Sequence, residues 1–157
     1  MDTLTLVHVV LSLIGIVTGL VVLYGLLTAH RMDGWTLVFL FTTVATSVTG
    51  FFFPFKGVTP AIILGILSLV VLAAAIAARY AFHLAGSSRW IYVVGSVVAL
   101  YFNVFVLVVQ AFLKIPALHT LAPKGSEPPF AIAQGIVLVF FILMGILSVK
   151  RFYPVAV

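Results

Sequence analysis

The sequence predicts an all-α, polytopic membrane bundle of five transmembrane helices, and three observations carry that prediction. Of the 157 residues, 64% are hydrophobic and only 7% are charged, against roughly 25% charged in a soluble domain. The charges are placed so that five long stretches hold none: 3–30, 34–55, 57–78, 90–113 and 128–149, of 28, 22, 22, 24 and 22 residues. A membrane-spanning helix needs about 20. The apolar runs are also continuous rather than alternating, which excludes an outer-membrane barrel. Soluble enzymes, nucleic-acid binders and disordered tails are excluded by the same composition.

The elements follow in chain order. The first helix is expected over about 4–29, ended by the polar turn His30-Arg31-Met32-Asp33-Gly34. It is read as a retained helix, because a secretory signal has a basic start and an apolar stretch of only about 7–15 residues. The second covers about 35–53 and stops at Pro54, followed by a link with Gly57 and Pro60, both poor helix continuers. The third covers about 60–82 and ends in an alanine-rich run before Gly86-Ser87-Ser88. The fourth covers about 89–113. The segment 114–129, with four prolines, reads as a loop before a fifth helix over about 130–149. Connections this short make successive helices antiparallel neighbours in one domain, residues 1–157.

Orientation comes from the basic residues. Arg31, Arg79, Arg89, Lys150 and Arg151 fall on one side, and Lys56, Lys114 and Lys124 on the other. The larger group belongs in the cytoplasm, which puts the N-terminus outside and the C-terminus inside. Trp35 and Trp90 then sit at the cytoplasmic interface as anchors. Tyr24, Tyr80 and Tyr92 are expected at interfaces too, and Arg79 is expected to snorkel to the headgroups. Tyr101, near mid-helix, needs a hydrogen-bond partner. Gly15-Ile-Val-Thr-Gly19 admits a closely packed helix, here one of the same chain. The formal charge of +5 sits singly at helix ends, which suits lipid headgroups rather than nucleic acid. With no cysteine, disulfides and Fe–S ligation are excluded.

Chemistry has few places to reside. Polar groups in hydrocarbon turn toward the bundle interior. Ser96, Asn103 and Gln110 recur every seven residues, nearly two turns, so they share one face of the fourth helix. His8, Ser12, Thr46, Ser47, Thr49, Ser68, Gln110 and Gln134 all fall in the outer half of the bundle. The candidate ligand-binding set is therefore Asn103, Gln110, Ser96, Thr46, Gln134 and His8. These groups serve either as interhelical ties or as the lining of a pocket for a lipid-like or quinone-like molecule. The histidines form an outer pair, His8 and His119, and an inner pair, His30 and His83, and two imidazoles could ligate a haem. His8, His119 and Glu127 are a weaker metal set without a motif. The three acids, Asp2, Asp33 and Glu127, lie in tails or loops. No catalytic constellation is visible, and a carboxylate-driven transporter is disfavoured.

Ser47-Val-Thr-Gly-Phe-Phe-Phe-Pro-Phe55, Arg89-Trp-Ile-Tyr-Val-Val94 and Val109-Gln-Ala-Phe-Leu-Lys-Ile-Pro-Ala-Leu118 resemble segments of a family of small proteobacterial inner-membrane proteins of unknown function. The resemblance implies a bacterial inner membrane and brings no activity, cofactor or site residue with it. The expectation is a non-enzymatic accessory or scaffold protein, contacting the bilayer and another membrane protein through 114–129, or one holding a lipid-like molecule in an outward-biased polar pocket. The alternatives are a small redox subunit binding haem or quinone, and a transporter or channel for a small solute.

Overall fold

Capping chemistry sets where the helices begin. In the computed structural model, which describes residues 1–154, α1 is Thr3–Leu27. Its cap is Asp2, whose carboxylate accepts from the Thr5 amide at 2.8 Å. α2 is Asp33–Gly50 and is entered through Met32 in a left-handed conformation. α3 is Pro60–Ile76, capped by Thr59 with proline in its first turn. It runs on as a π-helical turn, Ala77–Ala81. α4 is Ser87–Lys114, and a single short turn, α5, covers Pro116–His119. α6 is Pro128–Arg151, again opened by prolines, whose missing amide hydrogens cost nothing there. No strand occurs among the described residues.

Two boundaries differ from the sequence reading. α2 stops at Gly50 rather than Phe53, because the Phe51 and Phe52 amides turn back to Val48 and Thr49 at 3.1 Å and close the helix early. The aromatic segment 51–55 is thereby released to fold over the bundle end. The proline-rich connection also holds α5, where one helical turn was read as loop.

Four helices are long and apolar enough to cross a membrane: Thr3–Leu27, Pro60–Ala81, Ser87–Lys114 and Pro128–Arg151. α2 is not among them. It has only 18 residues, with Asp33 in its first turn and six Thr or Ser side chains along it. The outer surface suits lipid on all sides. On α6 alone, Ile132, Ile136, Val139, Ile142, Leu143 and Ile146 are at least half exposed, an apolar face that soluble monomers do not present.

α4 is the hub, packed against α1, α2, α3 and α6. Small residues permit the close crossings. A methyl group on Gly19 would meet Leu100 Cδ1 at 2.6 Å and the Phe39 ring at 2.9 Å, and one on Gly95 would meet Ala75 Cβ at 3.0 Å. The GxxxG pair is thus used within the chain, against α2 and α4. Around these contacts lies a core of Leu26, Phe39, Leu72, Ala75, Val93 and Leu100.

Arg79 and Tyr92 are buried inside the bundle rather than exposed on its surface. Arg79 is 2% exposed, sits in the π turn, and pairs with Asp33. It also donates to the Arg31 carbonyl at 3.1 Å and lies 4.9 Å above the Tyr92 ring. Tyr92 is itself fully buried. Arg79 follows Ser68, Leu72 and Ala75 at helical spacing on the buried face of α3, which accounts for the inward arginine. Tyr24 and Tyr80 do remain exposed, as do Trp35 and Trp90. Tyr101 makes no hydrogen bond among the described residues and packs its ring 5.7 Å from Phe141.

Candidate functional site

A cavity of about 680 Å³ opens between α1, α2, α3 and α4 at the end of the bundle where α1 begins. The segment between α2 and α3 lies over it, contributing Phe51, Phe53, Pro54 and Phe55. Its walls are mainly apolar, from Val9, Leu13, Ile62, Leu64, Phe102 and Val106. Set among them are His8, Ser12, Thr46, Ser47, Ser68, Asn103, Gln110 and Lys114. Helical periodicity explains the convergence. His8, Ser12 and Gly15 share a face of α1 at intervals of four and three, and Asn103, Gln110 and Lys114 share one on α4.

The floor is largely buried, and its hydroxyls and one Asn103 amide hydrogen are already engaged. Asn103 is 8% exposed and its Nδ2 donates to Thr43 Oγ1 at 3.5 Å. Gly15 makes room for that pair, since a methyl group there would meet Thr43 Oγ1 at 3.1 Å and Asn103 Nδ2 at 3.3 Å. Thr46 Oγ1 donates to the Thr42 carbonyl at 2.8 Å. Ser47 Oγ donates to the Thr43 carbonyl at 3.0 Å and lies 3.1 Å from Ser68 Oγ. Donation to the carbonyl one turn back is the usual resting place of a helical hydroxyl.

Nearer the opening the polar groups are less committed. Thr49 sends its hydroxyl proton to the Ala45 carbonyl at 2.8 Å, with Thr46 O at 3.0 Å. Its oxygen therefore accepts from His8 Nδ1, 2.9 Å away, which leaves His8 Nε2 with a free lone pair. The ring is held edge-on to Phe53 at 5.2 Å. Ser12, Gln110 and Lys114 make no side-chain hydrogen bond or ion pair among the described residues. This end of the molecule can bind a molecule that is apolar over most of its length and polar at one end. The lining holds no acid and only one titratable base, His8, besides the lysine.

Of the sequence candidates, His8, Thr46, Asn103 and Gln110 come together at the cavity. Ser96 and Gln134 do not. Ser96 is buried nearer the other end with no partner for its hydroxyl. Gln134 reaches from α6 to the Phe105 carbonyl on α4, 3.1 Å away, and acts as a tie between helices. The remaining histidines stand apart: His119 bonds the Phe112 carbonyl at 3.3 Å, His30 bonds Thr28 at 3.0 Å, and His83 lies exposed in a left-handed turn. No group of three or more His, Cys, Asp or Glu positioned for a metal occurs among the described residues. The candidate set lacked Lys114 and Gly15, although both were signalled, Lys114 one turn beyond Gln110 and Gly15 two turns beyond His8.

Comparison with family models, with curated proteins and with solved structures gives no match.

Proposed function

We propose that this chain is a non-enzymatic membrane protein that holds a lipid-like molecule in the cavity at the α1-start end. The observation that carries the reading is the cavity itself: about 680 Å³, within the range of small-molecule sites, with apolar walls and polar groups placed at its two ends. The same reading takes all five long helices as spans in a bacterial inner membrane, the N-terminus outside and the C-terminus inside. Supporting that orientation, Arg79 contacts the Arg31 carbonyl and Asp33, while Arg89 donates to the carbonyls of Val149 and Phe152. The larger basic group is thus gathered at the opposite end from the cavity, as a cytoplasmic face requires. α2 crosses as well, its 18 residues covering about 27 Å.

Native mass spectrometry of the gently solubilised protein tests the reading. One stoichiometric lipid-mass adduct is expected, and Asn103→Leu with Gln110→Leu should remove it while helicity is kept. A protein that carries no adduct, and takes up none when lipid is added, would overturn the proposal. An adduct with the mass of haem or a quinone would replace it with the redox reading.

A further inference from the structure

We infer that the occupant is a single-chain amphiphile with an anionic headgroup, its charge met by Lys114 at the mouth of the cavity. The inference rests on the cavity reading above and adds the chemistry of the ligand.

Charge is the first argument. Lys114 is the one formally charged residue among those lining the cavity, and it is exposed at the last turn of α4. Two acids lie at this end of the chain, and both are occupied by backbone amides. Asp2 caps α1 through the Thr5 amide at 2.8 Å. Glu127 accepts from the amides of Lys124 at 3.0 Å and Ser126 at 3.1 Å. The ion pairs among the described residues all involve Asp33 at the other end. Lys114 therefore has no ion-pair partner among the described residues.

Commitment of hydrogen bonds is the second argument. On the floor, Thr46 and Ser47 already donate within the protein and Asn103 gives one amide hydrogen to Thr43, so an apolar chain end strands few donors there. At the mouth Gln110 and Lys114 await a partner, and both can donate to an anionic oxygen. This gradient orients an amphiphile head outward and tail inward. Depth agrees: from Asn103 to Lys114 the helix rises about 16 Å, roughly half of a ~30 Å hydrocarbon core, the reach of one acyl chain in one leaflet.

The test uses the purified full chain in detergent, with three probes sharing one chain: oleate, 1-oleoyl-lysophosphatidate and the neutral monoolein. Native mass spectrometry reads occupancy against probe concentration. Either or both anionic probes should bind one per chain at least tenfold more tightly than monoolein; which of them does distinguishes a carboxylate from a phosphate head. Lys114→Gln should bring anionic binding down to the monoolein level, and Lys114→Arg should restore it. Lys56→Gln, at the same end but outside the lining, should change nothing. Equal binding of monoolein, anionic binding untouched by Lys114→Gln, or an equal loss in Lys56→Gln would overturn the inference. Val106→Trp fills the cavity and separates the two levels of the argument, with Gln110→Trp serving if the first variant does not fold. If it removes monoolein bound as tightly as oleate, the cavity stands and the anionic head falls. If it leaves every probe bound, the cavity reading falls as well.

Discussion

The two ends of this bundle treat polar groups in opposite ways. At the end where α1 starts, four helices splay around a cavity, and Ser12, Gln110 and Lys114 are left without partners. At the other end charge is buried and pinned. Arg79 is closed in by Asp33, the Arg31 carbonyl and the Tyr92 ring. Arg89 donates to the Val149 carbonyl at 2.8 Å and the Phe152 carbonyl at 2.9 Å, with the Tyr153 ring 4.0 Å away. A buried charge in or near hydrocarbon demands such partners, and Arg79 Nη1 still lacks one among the described residues. An uncommitted amide and lysine at a cavity mouth demand only water or a ligand. The contrast sets an end whose polar groups are tied down, around Arg79, against one whose polar groups stay uncommitted, around Lys114.

The largest effect should come from stranding Arg79. Asp33 itself is 70% exposed, so by its own exposure its removal looks harmless. Asp33→Ala nevertheless leaves a buried guanidinium with the Arg31 carbonyl as its main partner, and should cost about 3 kcal/mol. Arg79→Met, which removes the buried charge and leaves only an exposed carboxylate, should cost less. Reversible unfolding in mixed micelles measures both, and the opposite ranking would show that the pair does not anchor this end.

Next in size is the crossing beneath the cavity. Gly19→Ala pushes a methyl group against Leu100 and Phe39 and should cost 1–3 kcal/mol by overpacking. By contrast Gln110→Leu, at the open end, should leave stability unchanged while binding is lost, as tested above. Equal destabilisation by the two would dissolve the division between the ends.

The smallest effect concerns the α1 cap. The Asp2 carboxyl lies below its usual range, first through its side-chain contact with Thr5 and then through the Thr5 amide. A carboxylate lowered in the folded state stabilises it above its unfolded pKa and loses that contribution as pH falls through the lower, folded value. Protection of the Thr5 amide, its exchange rate relative to the intrinsic rate at the same pH, should therefore fall only in acid below pH 3.8, without change at Arg79. Protection that does not vary with pH would show that the cap does not hold the first turn.

Much of the fold was legible because its signals are local. The charge-free stretches located the five long helices to within a few residues. The seven-residue spacing of Asn103 and Gln110 puts both amides on one face, and both line the cavity. Ser96 shares that face and misses the cavity, because spacing along one helix says nothing about where its neighbours splay apart. Gln134 shares the cavity's level by residue count, yet it hangs on α6, which packs on the far side of α4. Arg79 shows a related limit. Its seven-residue spacing from Leu72 places it on the inward face of α3, but spacing along one helix does not reveal that Asp33 and the Arg31 carbonyl stand opposite it.

By itself, then, the sequence determined that the chain is a set of long apolar helices with interior-facing hydroxyls and amides, because backbone in hydrocarbon must satisfy its own hydrogen bonds and composition alone enforces that. Only the tertiary structure decided which polar groups meet. That depends on the rotation of each helix about its axis and on the distance between axes, set here by Gly15, Gly19 and Gly95 at the crossings. Such quantities arise from packing between segments distant in the chain, and no pattern within one helix encodes them.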